Sequence, residues 1–133
     1  MRATKNQAPW VAVGGGTFSK TSPQFYIVGQ VGNSANSELL SLGFPLPASP
    51  QLTPVQALPA SWVMLVGGDA VTYQSLRDGG CNRLTCLGDY AARYRGVEGR
   101  FQANLLREKK WTTQTETMQF TDGSFRVQYT TVP

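Results

Sequence analysis

The sequence predicts a mainly β protein, an antiparallel sheet or sandwich, with a mixed α+β fold as the alternative. Short apolar and β-branched runs recur between clusters of glycine, proline and serine. The C-terminal end is rich in threonine and alternates polar with apolar residues. Eight prolines and fourteen glycines leave little room for long helices. At 133 residues, we expect one domain over residues 1–133.

Two strands are predicted in the N-terminal region. Residues 10–13 form a short strand, which the glycines at 14–16 are expected to end. Residues 25–28 form a second strand that is apolar throughout, so we expect it to be buried on both faces. A hairpin with a long loop over residues 17–23 would join them.

A proline-rich stretch over residues 33–60 is predicted to be an extended arm. Five prolines between positions 45 and 59 rule out regular structure there and favour extended chain. Apolar residues nevertheless recur along it, which indicates that the arm packs against this domain or a second subunit. The side chains predicted to contact a partner are Leu42, Phe44, Leu46, Leu52 and Val55.

The next predicted hairpin has strands at residues 62–66 and 70–76, with Gly67, Gly68 and Asp69 in the turn. The pattern over residues 89–107 fits either a helix or a strand, and we predict a short helix near 89–95 followed by a strand near 100–107. Residues 100–131 form a predicted meander, with turns at 108–110 and 121–124.

Basic residues are concentrated in one part of the chain. The net charge is +4, and eight of the twelve basic residues lie between Arg77 and Lys110. Three aromatic residues are interleaved with these basic residues: Tyr94, Phe101 and Trp111. This combination of cationic and aromatic side chains is typical of single-stranded nucleic acid binding. The predicted polyanion-binding residues are Arg93, Arg95, Arg100, Arg107, Lys109 and Lys110. The ordinary alternative is a solvated charged face with the aromatic side chains in the core.

The two cysteines, Cys81 and Cys86, are predicted to form a disulfide that closes a small loop in an oxidising compartment. Such a loop would hold Arg83 and Leu84 rigidly for contact with a partner. A protease-inhibitor loop is therefore a third, less favoured functional interpretation. Two free thiols are the alternative to the disulfide.

The composition argues against most enzyme classes. The chain has no histidine, which removes the commonest general base and the commonest metal ligand. The eight acidic residues show no spacing that selects a catalytic pair. We therefore predict a non-enzymatic protein without cofactor or metal.

The function predicted from these features is that of a structural or interaction subunit that self-associates. A charged content of only 15% suits extracellular, cell-surface or virion-type assemblies, and a cytoplasmic location stays open. We expect no signal peptide and no transmembrane segment, because no apolar run is long enough. The alternative function is polyanion binding through the basic stretch.

Overall fold

A computed structural model describes residues 1–33, 36–47, 53–66, 69–75, 83–89, 96–107 and 116–133. These residues form eleven β-strands. In chain order the strands are β1 (Arg2–Lys5), β2 (Ala8–Val11), β3 (Val13–Ser19), β4 (Gln24–Gly32), β5 (Asn36–Pro45), β6 (Thr53–Gln56), β7 (Ser61–Val66), β8 (Asp69–Ser75), β9 (Arg83–Asp89), β10 (Gly96–Arg107) and β11 (Glu116–Val132).

All eleven strands belong to one sheet. Their order is β2-β1-β11-β3-β4-β5-β7-β8-β10-β9-β6, and β10 pairs with β11 as well. Because β11 has β3 on one side and β10 on the other, the seven strands from β11 round to β10 close into a ring. Among the described strands every pairing is antiparallel except the parallel pairing of β3 with β11. The predicted mainly β, antiparallel fold is confirmed.

The predicted short helix is not confirmed. The described residues contain no helix, and Asp89, where the predicted helix would begin, is the last residue of β9. Residues 90–95 lie outside the described part of the chain. The strand predicted near 100–107 is confirmed as the C-terminal part of β10, which begins earlier, at Gly96.

The hydrophobic core lies inside the ring and is formed by the side chains on one face of each long strand. The largest fully buried side chains include Phe25 and Ile27 from β4, Phe44 from β5 and Phe120 from β11. The rings of Phe25 and Phe44 stack with centroids 5.4 Å apart. In β4 the alternate residues Tyr26 and Val28 face outward and are 44% and 37% exposed, so the predicted burial on both faces is wrong.

The three glycines at 14–16 do not end a strand; they lie inside β3. A Cβ atom on Gly14 would lie 2.6 Å from Cγ1 of Val127, and one on Gly16 would lie 3.2 Å from Cβ of Tyr129. These glycines therefore let β3 approach β11 closely, which is a packing role that composition alone does not distinguish from a turn.

The arm prediction is wrong for residues 36–45. These residues form β5, which pairs with β4 on one side and β7 on the other. Leu42 and Phe44 point into the core and are almost fully buried. The run of prolines begins only at Pro45, the last residue of β5, so the apolar alternation before it was free to form a central strand.

The predicted turn at residues 121–124 is a β-bulge instead. Phe101 pairs with Gly123 and Ala103 pairs with Phe120, so two residues, Thr121 and Asp122, lie opposite one residue of β10. Asp122 takes up a left-handed conformation, with φ of 50°. A Cβ atom on Gly123 would lie 2.6 Å from the Phe101 ring. The turn-forming residues thus bend a continuous strand without reversing it.

Two β-hairpins contribute residues to the candidate interaction surfaces. The predicted hairpin of β7 and β8 is confirmed by its register, in which Val66 pairs with Asp69. An unpredicted hairpin joins β1 to β2 through Asn6 and Gln7, both with positive φ. Two positive φ values in a two-residue connection match the twist of the flanking strands.

Candidate interaction surfaces

A partly buried charged cluster, the Glu38 centre, joins four strands at one end of the core. It consists of Lys5 (β1), Trp10 (β2), Glu38 (β5) and Trp62 (β7). Oε1 of Glu38 accepts hydrogen bonds from Nζ of Lys5 at 2.9 Å, Nε1 of Trp10 at 2.6 Å and Nε1 of Trp62 at 3.1 Å. The Lys5 ammonium also lies 5.2 Å from the centre of the Trp62 ring. The cluster ties the N-terminal hairpin to the ring.

The electrostatics of Glu38 follow from these contacts. Burial raises the pKa of the carboxyl group, but the hydrogen bonds from Lys5, Trp10 and Trp62 outweigh it and hold the pKa below its ordinary value. The carboxylate is therefore ionised at neutral pH. Since its contacts are to the chain's own core residues, we assign it a structural role.

A second polar contact extends this end of the core. The hydroxyl of Tyr73 donates a hydrogen bond to Oε2 of Glu116 at 2.8 Å, and Arg107 forms an ion pair with the same oxygen at 3.3 Å. Burial, together with the hydrogen bond to Glu116, raises the pKa of Tyr73. Arg107, one of the predicted polyanion-binding residues, is thus paired within the chain.

An exposed apolar patch lies on the outer face of β2, β3 and β4. We define it by Val11, Val13, Tyr26 and Val28. Val11 and Val13 are 65% and 80% exposed, the highest values among the large hydrophobic residues described. Gly15 pairs with Val28 and Thr17 with Tyr26, so the β4 members lie beside the outer side of β3. A Cβ atom on Gly15 would meet nothing within 4 Å, which leaves the patch open at its middle.

The two strands at the ends of the sheet each contain a proline. β2 contains Pro9 and β6 contains Pro54. Met1 and Ala12 exchange both backbone hydrogen bonds, so in the alternating antiparallel pattern Thr4 and Pro9 form a pair without them. The ring nitrogen of Pro9 therefore faces the free edge, where it supplies no donor to an added strand.

A groove lined by three arginines lies beside the apolar patch. We define this arginine groove by Arg2 (β1), Ser124 and Arg126 (β11), and Glu98 and Arg100 (β10). Ser124 pairs with Arg2 on one side and with Arg100 on the other, so the three lie in one row across the sheet. Arg126 and Glu98 form the next row. The groove has a volume of about 400 Å³, and Met1, Gly99 and Phe125 complete its lining.

The charges of the groove are not neutralised within the described part of the chain. The ion pairs among the described residues are Lys5 with Glu38 and Arg107 with Glu116, and neither includes a residue of the groove. Arg2, Arg100 and Arg126 are all exposed, with Glu98 as the acidic residue in the lining. Three guanidinium groups with a single carboxylate among them make a site for an anion.

The structure distributes the predicted site residues among different places. Arg100 lies in the groove. Leu42 and Phe44 are core residues, Val55 is partly buried against the core, and Leu46 is exposed after β5. Arg83 and Leu84, predicted in a loop tip, lie in β9, which is paired with β10 and β6 on its two sides. The residues outside the described ranges are Leu52, Cys81, Arg93, Arg95, Lys109 and Lys110.

The disulfide between Cys86, which lies in β9, and Cys81 stays a prediction, because Cys81 is outside the described residues. The inhibitor-loop interpretation loses its basis at Arg83 and Leu84, because a substrate-like loop needs a free backbone edge and theirs is occupied. Phe101, one of the aromatic residues interleaved with the basic residues of the sequence, is buried in the core.

The sequence did not single out Arg2 and Arg126. They are separated from Arg100 by 98 and 26 positions, and only the pairing of β10, β11 and β1 brings the three together. A partial signal existed, because Arg126 alternates with Phe125 and Val127 and so had to face outward.

Comparisons with known proteins add no assignment: no family model, curated protein or solved structure matches this chain. The described residues contain no helix that is long and apolar enough to cross a membrane. They also contain no group of three or more acidic or cysteine side chains arranged to hold a metal ion.

Proposed function

We propose that this protein is a non-enzymatic interaction subunit that self-associates through the apolar patch. The observation on which this depends is the contiguity of Val11, Val13, Tyr26 and Val28 on one outer face. Exposed apolar side chains that occur singly are normal, whereas a contiguous group marks an interaction surface.

A second copy of the chain is the partner that the patch favours. In a two-fold contact each patch faces itself, so any charged residue at its centre meets a like charge. The outward positions of β3 and β4 that adjoin the patch residues are Gly15, Thr17 and Gln30, none of which is charged, and the charged residue Arg2 pairs with Val11 at the margin of the patch. The centres of two patches can therefore meet without charge repulsion, although each chain carries a net charge of +4 and Arg2 lies at the margin.

The proposed association occurs face to face and not by strand addition. Pro9 removes a donor from the free edge of β2, and β6 is a strand of four residues that also contains a proline, so pairing of a further strand at either end of the sheet is disfavoured. The patch supplies only part of the roughly 800 Å² per partner that a stable complex buries. We therefore expect a dimer that forms with rising protein concentration.

The mass in solution, measured by light scattering over a range of protein concentrations, tests this proposal. We expect the mass to rise towards that of a dimer and to stay insensitive to salt, because apolar contacts are not screened. Val13→Asp should return the protein to a monomer, since it brings two carboxylates together at the contact.

Val66→Asp is the matched control. Val66 is exposed at the end of β7, away from the patch, and the same substitution there should leave association unchanged. A monomer at every concentration would refute the proposal, and so would equal effects of the two variants. Membership of an extracellular or virion-type assembly is part of the same proposal and depends on this result.

A further inference from the structure

We infer that the arginine groove is a binding site for the phosphate backbone of single-stranded nucleic acid. This goes beyond self-association, because the groove lies on β1, β10 and β11 and the apolar patch on β2, β3 and β4, although the two surfaces meet where Arg2 pairs with Val11. The site also differs from the basic stretch that the sequence indicated: it uses Arg100 from that stretch but takes Arg2 and Arg126 from the two ends of the chain.

The chemistry of the lining selects an anion with several oxygens. Arg2 and Arg100 flank the Ser124 hydroxyl in one row, so a phosphate above Ser124 can accept from two guanidinium groups and a hydroxyl. Guanidinium groups match phosphate in a bidentate geometry. None of the three arginines forms an ion pair with a described residue, so binding breaks no such contact.

The spacing of the rows favours a chain of phosphates over a single one. Arg126 is two residues beyond Ser124 on β11, a separation of about 7 Å along the strand. This is comparable to the distance between adjacent phosphates in an extended nucleic acid strand. A first phosphate at Ser124 therefore places the next one near Arg126.

The width of the groove favours one strand over a duplex or a membrane. From β1 to β10 the groove spans two strand spacings, about 10 Å. A single flexible backbone can enter a concave site of this width, whereas a bilayer surface is too flat to follow it. The aromatic residue in the lining, Phe125, is buried, so it provides no platform for stacking a base. Binding should therefore be independent of sequence.

Glu98 gives the inference an internal check. It lies opposite Arg126 in the groove, where its negative charge opposes an incoming phosphate. Glu98→Gln should tighten binding about threefold, as expected for removing one like charge some 6 Å from a phosphate in water. A gain in affinity cannot arise from partial unfolding of the variant.

The test measures the affinity of a labelled oligothymidylate by fluorescence anisotropy, between about 50 and 200 mM salt. With two phosphates contacted, one at Ser124 and one near Arg126, the slope of log affinity against log salt concentration should be about −1.4. Arg→Gln changes at positions 2, 100 and 126 each remove one guanidinium group, and the change at 126, which leaves the second phosphate without a partner, should reduce the slope by about 0.7. Each change should also weaken binding about tenfold at the lowest salt, the effect of losing one charge-assisted hydrogen bond.

The matched controls are Lys20→Gln and Arg107→Gln, which remove the same charge outside the groove. Lys20 lies in the β3–β4 turn, and Arg107 is paired with Glu116. Neither should change affinity by more than about twofold, the small effect expected of a screened distant charge. Equal losses in controls and groove variants would overturn the inference, because binding would then follow net charge alone.

Two other ligands complete the test. An oligodeoxyadenylate of the same length should bind as tightly as the oligothymidylate, since the groove contacts only the backbone. Tighter binding of a duplex, or of vesicles containing phosphatidylserine, would overturn the assignment to a single strand. Val13→Asp should weaken binding of the oligonucleotide by no more than about twofold, the effect of one added carboxylate roughly 10 Å from Arg2 in water. Loss of the dimer with most of the oligonucleotide affinity kept therefore distinguishes failure of one proposal from failure of the other.

Discussion

The Glu38 centre and the arginine groove use charged side chains in opposite ways. In the Glu38 centre one carboxylate oxygen accepts three hydrogen bonds from the chain's own side chains, and the cluster is largely withdrawn from water. In the groove three arginines are exposed and form no ion pair with a described residue. The difference indicates that the first cluster stabilises the fold, whereas the second is available for a ligand.

The largest expected effect is on stability, from Glu38→Ala. This change leaves the donors of Lys5, Trp10 and Trp62 without their acceptor, so we expect the free energy of unfolding to fall by about 2–3 kcal/mol. Denaturant titration measures the change. Glu98→Ala removes an acidic residue from the groove and should cost no more than about 0.5 kcal/mol. Equal losses in the two variants would abolish the distinction drawn above.

The pH dependence of stability sharpens the same distinction. The pKa of Glu38 is lowered in the folded protein, so the unfolded chain takes up the proton first as the pH falls. Its contribution is complete above the unfolded-state pKa of about 4.3 and is lost as the pH falls through the lower folded pKa. Thermal melts over this range should show a smaller pH dependence for Glu38→Gln than for the wild type. An unchanged dependence would show that the ion pair is absent in solution.

A smaller loss is expected from Tyr73→Phe, which removes the hydroxyl that donates to Glu116. We expect the free energy of unfolding to fall by about 1 kcal/mol, the usual net value of one hydrogen bond. Arg107→Gln breaks the exposed ion pair with the same carboxylate and should cost less, about 0.5 kcal/mol. Denaturant titration of both variants checks the order, and the reverse order would place the main contact of Glu116 at Arg107.

The smallest effect on stability is expected in the groove. Arg2→Gln, Arg100→Gln and Arg126→Gln should each change the free energy of unfolding by less than about 0.5 kcal/mol, because these side chains make no ion pair with the described residues. The triple variant should be as stable as the wild type, since removing neighbouring like charges relieves repulsion. A loss above about 2 kcal/mol would give the groove a structural role.

The fold class and several strands follow from the amino-acid sequence. Alternation in residues 125–129 and the apolar run at 62–66 required a sheet with one buried face, and both lie in strands as predicted. This information is local, because the period of two acts over a few residues. It fails where one residue type serves two purposes: Gly14 and Gly16 allow β3 to pack closely against β11, and residues 121–124 form a bulge inside β11.

The grouping of residues into surfaces and clusters depends on the folded sheet. Phe44 resembled a partner contact until β5 was seen to run between β4 and β7, and Arg2 had no apparent connection with Arg100 until β11 paired with both their strands. Sheet pairing joins residues far apart in the chain, and its register depends on many weak side-chain contacts at once. Composition and the spacing of residues along the chain do not identify those contacts. The residues of the surfaces proposed for function are therefore brought together only when the sheet closes.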